Sequence, residues 1–156
     1  MTAVLSLGSN LGDRRAHLRG GIEVLAMRLP VVAVSALYET TPVGVTDQPD
    51  YLNCVVVVDT DDAQTALTAA HAAEQARGRL RSARWGPRTL DVDVVDVDGQ
   101  RRDDARLTLP HPRAHERAFV LRPWLDVAPD AVVAGRGPVR SLLMGLTSSD
   151  VRRVDW

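Results

Sequence analysis

Between residues 2 and 97 the apolar pattern alternates between a period of two and a period near 3.6, in the order strand, helix, strand, strand, helix, strand. Residues 2–8, TAVLSLG, read as the first strand. Leu18, Ile22, Leu25 and Leu29 recur at helical spacing, so a helix is expected over about 12–29, with Asn10 or Gly12-Asp13 near its start and Pro30 after its end. VVAVSALY (31–38) and YLNCVVVVD (51–59) read as the second and third strands, residues 62–80 as an Ala-rich helix, and residues 89–97 as the fourth strand.

That order is the split βαβ, ferredoxin-like arrangement. An α+β fold is expected: an antiparallel sheet with helices on one face and the other face open to loops. After a hairpin or loop at 98–104, LTLP adds a short strand, and HPRAHERAFVLRPWLDVAPD reads as loop with one or two helical turns. Pro138 starts a last helix through Leu142, Leu143 and Leu146. With this C-terminal extension the whole is expected to be a three-layer sandwich. At 156 residues the chain fits a single domain, 1–156, with a real core.

The fourth strand carries an anomaly. In RWGPRTLDVDVVDVDG (84–99), Asp91 and Asp93 sit inside a Val-rich run. Alternation points both carboxylates to one side, about 7 Å apart along the chain, on the face expected for Val95 and Val97. Burying adjacent carboxylates without counter-charge is very costly. Two readings stay open: a solvated strand face with Arg ion pairs, or a site for Mg²⁺, which takes one or two carboxylates, waters and substrate phosphates. Arg77, Arg79, Arg81, Arg84 and Arg88 precede the acids, and Gly78, Gly86 and Pro87 keep that stretch irregular. An acid pair beside an Arg-rich loop suits a triphosphate: a metal bridges phosphate oxygens and Arg forks hold the rest. A second irregular stretch, ETTPVGVTDQPD (39–50), is of a length usually kept for function.

Composition narrows the partners. Net charge is −1 and aromatic content 4%, which argues against a nucleic-acid groove or attraction to anionic membrane. No apolar run reaches the ~18 residues of a membrane span. No basic region precedes the first strand, so no signal peptide is expected and the compartment is taken as cytoplasmic. A lone cysteine, Cys54, excludes an internal disulfide and a Cys-based zinc cage. All 19 basic residues are Arg, which rules out a Walker-type or Schiff-base lysine. GSNLGDR (8–14) is therefore read as a structural turn rather than a phosphate loop.

Two further clusters are polar where a core would be apolar. Leu67, Ala70, His71 and Glu74 follow helical spacing, so His71 and Glu74 extend an apolar stripe; a partly exposed helix end explains this as well as a site does. LPHPRAHERAFV (109–120) carries His111, Arg113, His115 and Arg117, and a phosphate contact is the favoured reading of His111. Prolines 110 and 112 bar the helix that a two-His zinc site would use.

LSLGSNLGDR, YETTPVGVTDQPDYLN, GRLRSARWGPRTLDVDVV and LPHPRAHERAFVLRPWLDVAP, spanning most of residues 4–129, closely resemble the hydroxymethyl-dihydropterin pyrophosphokinases of folate biosynthesis. The resemblance implies transfer of the pyrophosphoryl group of ATP to the hydroxymethyl oxygen of a dihydropterin, leaving AMP. It implies two Mg²⁺ ions at Asp91 and Asp93, loop arginines at Arg79 and Arg88, and an indole, Trp85, over the site. It places ATP contacts at His71, Glu74, Arg79, Trp85, Arg88, Val94, Arg106, Thr108, His111 and Arg117. It places the pterin at Thr40, Thr41, Pro42, Val43, Gly44, Tyr51, Asn53, Trp85 and Phe119. Where some members carry Tyr, this chain has Pro112. Chemistry agrees: Tyr51 and Phe119 are flat faces for a heteroaromatic ring, and Asn53 offers a donor and an acceptor for its amide edge, although a strand edge and a core position account for the two aromatics as well. The partners expected are ATP and a dihydropterin alcohol, without nucleic acid or membrane, acting on a monomer. The rivals are a nucleotide cyclase or polymerase-like palm, and a non-catalytic pterin- or nucleotide-binding module.

Overall fold

The computed structural model describes residues 1–41, 49–78, 89–146 and 150–156. The main sheet is built from β1 (Thr2–Ser9), β2 (Val31–Val34), β3 (Leu37–Thr40), β4 (Tyr51–Asp59), β5 (Asp91–Val97) and a C-terminal β10 (Arg152–Val154). Its order is β10-β3-β4-β1-β5, with β2 also on β4, and every pairing is antiparallel. Two helices link the strands, α1 (Arg14–Arg28) and α2 (Ala63–Ala76). Asp13 caps α1 by accepting from Ala16 N–H, and Asp62 caps α2 by accepting from Thr65 N–H. Helix α2 gives way at Gly78, whose φ of +72° is a left-handed stop that glycine adopts without strain.

The expected second strand, 31–38, is two strands. Ser35 interrupts it: its N–H donates to Val55 O while its hydroxyl accepts from Val55 N–H, both at 2.9 Å. β4 alone occupies the span read from the sequence, 51–59. Strand β10 carries no periodic signal; it pairs with β3, and Trp156 Nε1 donates to Ser35 O at 3.1 Å.

Apolar side chains gather on both faces of the sheet. On one, Leu5, Leu7, Cys54, Val56, Val92 and Val94 meet Leu18 and Leu25 of α1 and the alanines of α2. On the other, Val4, Val55, Val57 and Val95 meet Val120, Leu121 and Trp124 of α3 (Ala118–Val127) and Val139 of α4 (Val139–Met144). The second face is therefore not open to loops alone, as the element order suggested. Helix α3 runs for ten residues despite Pro123 because one side of it is a continuous buried stripe. Two small hairpins complete the described chain, β6 (Arg102–Asp103) with β7 (Thr108–Leu109) and β8 (Val132–Val133) with β9 (Gly137–Pro138).

Helix α3 is tied to the sheet by polar contacts as well. Tyr38 OH donates to Asp126 Oδ2 at 2.7 Å, Ala36 N–H donates to the same oxygen, and the Arg122 guanidinium stands 5.4 Å from the Tyr38 ring centre. Burial and the Asp126 carboxylate together push the Tyr38 phenol up to about 12, so it stays a donor.

Candidate active site

Four strands come into register near their ends on the second face. In register across the sheet stand Tyr38, Asn53, Gly8 and Asp91. Strand spacing of ~4.8 Å puts Asn53 and Asp91 roughly 10 Å apart, with only the backbone of Gly8 between them. An added Cβ on Gly8 would stand 3.0 Å from Asn53 Oδ1 and 3.5 Å from Tyr51 Cδ1, so a side chain there would intrude on both. Asp93 pairs with Ser6 on the same face. Asp91 and Asp93 do share a side, with Val95, but Val97 does not join them. Leu5 pairs with Val94 and Val4 with Asp96, leaving Val95 as an extra residue in a bulge, and that one-residue slip turns Val97 into the opposite core.

Asp91 and Asp93 are both partly exposed, with 48% of the Asp93 side chain accessible. His111 approaches from the segment after β7. Its N–H donates to Val95 O at 2.9 Å, its Nδ1 accepts from Arg113 N–H at 3.2 Å, and its Nε2 lies 4.0 Å from Asp93 Oδ2. With Nδ1 accepting, the neutral ring carries its proton on Nε2, toward Asp93. Burial lowers the His111 pKa, opposed by Asp93 and assisted by Arg117 and Arg113. Among the described residues no group of three or more His, Cys, Asp or Glu converges on a metal position. A carboxylate pair with one open side fits Mg²⁺, whose remaining positions go to water and phosphate oxygens.

At the edge of β5 lies a pocket of about 360 Å³ lined by Leu67, His71 and Glu74 of α2, Val92, Asp93 and Val94 of β5, residues 106–108, His111 and Pro112, so one of the two acids is part of its wall. It brings together six residues assigned to ATP from the sequence: His71, Glu74, Val94, Arg106, Thr108 and His111. Arg117 is not in its lining; its guanidinium lies 5.6 Å from the centre of the Phe119 ring. Glu74 is 6% exposed, and its Oε2 accepts from Val92 N–H at 3.0 Å. Strand β5 is the sheet edge, so this carboxylate supplies a partner that no further strand provides.

On the other side of Gly8, Asn53 is buried and its Nδ2 donates to Thr40 Oγ1 at 2.9 Å. Tyr51 pairs in register with Thr40, and Phe119 sits partly buried at the start of α3.

The profile of the 7,8-dihydro-6-hydroxymethylpterin-pyrophosphokinase (HPPK) family matches residues 4–129. The chain belongs to this family. It is 46% identical over 156 residues to the 2-amino-4-hydroxy-6-hydroxymethyldihydropteridine pyrophosphokinase of Methylorubrum extorquens, covering 98% of both chains. It is 39% identical to the Bacillus subtilis enzyme of the same name over 80% of this chain and 77% of that one. Among solved structures, wild-type HPPK-DHPS of Plasmodium falciparum with pteroate aligns with a TM-score of 0.73 at 13% identity, over 97% of this chain and 47% of that one. At that identity the likeness speaks for the fold, and this chain spans about half the length of those fused chains.

The site residues expected from the sequence at Pro42, Val43, Gly44, Arg79, Trp85 and Arg88 lie outside the described residues. Thr41 is exposed at the end of β3. Two features escaped the sequence reading. Gly8 was read as the end of the first strand and the start of a structural turn, but its place in register between Asn53 and Asp91 was not read. The contact of Glu74 with Val92 N–H joins residues 18 apart, and helical spacing alone carries no sign of it.

Proposed function

We propose that this protein transfers the pyrophosphoryl group of ATP to the hydroxymethyl oxygen of 6-hydroxymethyl-7,8-dihydropterin, a step of tetrahydrofolate biosynthesis. The observation that carries the reading is the row Asn53–Gly8–Asp91. In this reading Asn53 recognises the amide edge of the pterin, Asp91 binds metal, and the ring with its hydroxymethyl arm lies over Gly8 between them, beside the α2–β5 pocket.

In this reading ATP occupies the pocket, with Arg106, Thr108 and the Nε2–H of His111 turned to its phosphates, and with Arg117 nearby. Asn53 with backbone groups of Thr41 and Val43 recognises the pterin edge, Tyr51 and Phe119 stack on its faces, and Trp85 is the indole assigned over the site. Asp91 and Asp93 would hold two Mg²⁺ ions, which would supply charge neutralisation and lower the pKa of the attacking hydroxyl. The hydroxymethyl oxygen forms a bond to the β-phosphorus, the bond from that phosphorus to the α-phosphate oxygen breaks, AMP leaves and the hydroxyl proton passes to solvent. Arg79 and Arg88 hold the moving group, a role in which Arg is worth on the order of 10³–10⁵ in rate in comparable transfers. The remaining parts of the reading are a single domain over 1–156, a ferredoxin-like sheet between two helical layers, and a cytoplasmic monomer. No helix among the described residues is long and apolar enough to cross a membrane.

The deciding experiment follows AMP formation from ATP with and without the dihydropterin alcohol and Mg²⁺. AMP that requires all three supports the reading; ADP, or binding without turnover, overturns it in favour of another kinase or a binding module. The place of the ring over Gly8 is tested by Gly8→Ala. Its methyl group crowds Asn53 Oδ1, so KM for the pterin is expected to rise by about tenfold, equivalent to ~1.4 kcal/mol, with KM for ATP within twofold. Equal changes in both constants would place Gly8 outside the pterin site.

A further inference from the structure

Two guanidinium groups from opposite ends of the chain each join β3 to the residue before β4. Arg14, the first residue of α1, does so with one nitrogen: Nη1 donates to Glu39 Oε2 at 2.9 Å and to the Asp50 carbonyl at 2.7 Å. Arg152 of β10 repeats the pattern with Nη2, which donates to Glu39 Oε1 at 3.3 Å and to Asp50 Oδ2 at 3.1 Å. Glu39 thus holds one cation on each carboxylate oxygen. Asn10 Nδ2 adds a weaker contact to the Pro49 carbonyl at 3.4 Å. Just inside this ring lies the register pair Thr40–Tyr51, and next to it Asn53 with its bond to Thr40.

β3 meets β4 through three registered pairs, Tyr38–Asn53, Glu39–Leu52 and Thr40–Tyr51. An isolated exposed ion pair contributes little, but here two carboxylates, two guanidiniums and a backbone carbonyl share a network, with the Arg14 and Glu39 side chains each only 25% exposed. The Arg14 bond to the Asp50 carbonyl also ties down backbone, whatever rotamer Asp50 adopts.

We propose that Arg14, Glu39, Asp50 and Arg152 form a clamp that sets the spacing of Thr40 and Tyr51 and thereby the affinity for the pterin ring, with Arg14 as its central positioning residue. The inference rests on the pterin reading above. The four residues act through Thr40, Tyr51 and Asn53 rather than by touching the ring, so they tune one substrate and leave the other alone.

The test is calorimetric binding of 6-hydroxymethylpterin to the full chain in Mg²⁺ and α,β-methylene-ATP, with binding of the ATP analogue alone measured in parallel. Arg14→Ala is expected to weaken pterin binding by roughly five- to tenfold while the analogue stays within about twofold. Arg14→Lys is expected to restore most of the loss, because both contacts leave from one nitrogen and an ammonium carries protons for each. Equal loss for both ligands, unchanged pterin binding, or Lys as weak as Ala overturns the clamp. If the wild type binds no pterin, the functional reading falls instead. The clamp is then judged by amide exchange over residues 38–40 and 51–53, which must quicken by roughly tenfold in Arg14→Ala; unchanged exchange overturns it.

Discussion

Asp93→Asn is expected to lower AMP formation by about 10³ or more at saturating Mg²⁺, with thermal stability unchanged. The two halves of this expectation come from different observations. Half of the Asp93 side chain is accessible, and among the described residues its ionic neighbour is His111, whose Nε2 lies 4.0 Å away, beyond hydrogen-bond length. Surface changes of this kind move stability by about 0.5 kcal/mol or less. Activity is another matter. Asn keeps the size and one carbonyl oxygen but removes the charge, and a hard divalent cation bound by only one or two carboxylates loses much of its hold. Asp91→Asn is expected to behave alike, since Asp91 shares the face and lies one strand from Gly8. Paired measurements of AMP formation across an Mg²⁺ titration and of melting temperature check this. A mutant rate within tenfold of wild type, with the same Mg²⁺ dependence, would return the acids to the alternative of a solvated strand face.

The acid pair was legible because it needs only local alternation, and β4 because its Val-rich run is bounded on both sides. What was not legible depends on partners distant in sequence. The face of Val97 depends on a bulge that exists only in the pairing of β5 with β1: Val95 has no opposite residue, and nothing in DVDVVDV marks which residue is extra. Helix α3, expected as one or two helical turns, runs for ten residues because of burial, Trp124 and Leu121 against Val55 and Val57, which is a tertiary fact. Strand β10 is three residues with two exposed arginines, and its order comes from β3 and Trp156. The stripe Leu67–Ala70–His71–Glu74 shows the boundary well. Spacing put His71 and Glu74 on one side of α2, and they do line one pocket, but His71 is exposed and Glu74 buried. Helical period cannot tell these apart, because the difference arises from where the edge of β5 falls.

That difference makes Glu74 the most informative residue for stability. Glu74→Ala leaves Val92 N–H, on a buried edge of the sheet, without its acceptor, and removes a side chain that is 6% exposed. A lost acceptor for a buried donor costs ~1–3 kcal/mol, and the emptied volume adds to it, so a total of roughly 3 kcal/mol is expected. For a chain of this length each kcal/mol lowers the melting temperature by about 2–4 °C, which predicts a fall of roughly 6–12 °C. Glu74→Gln separates the structural role from any role toward ATP. Its amide oxygen can still accept from Val92 N–H, so most of the stability is expected to return, while the charge at the pocket wall is gone. If KM for ATP in the Gln variant stays within about twofold of wild type, Glu74 serves the sheet edge alone. If KM shifts while the melting temperature recovers, the carboxylate serves the nucleotide as well. A melting temperature as low in Gln as in Ala would show that the Val92 contact is not what holds this edge.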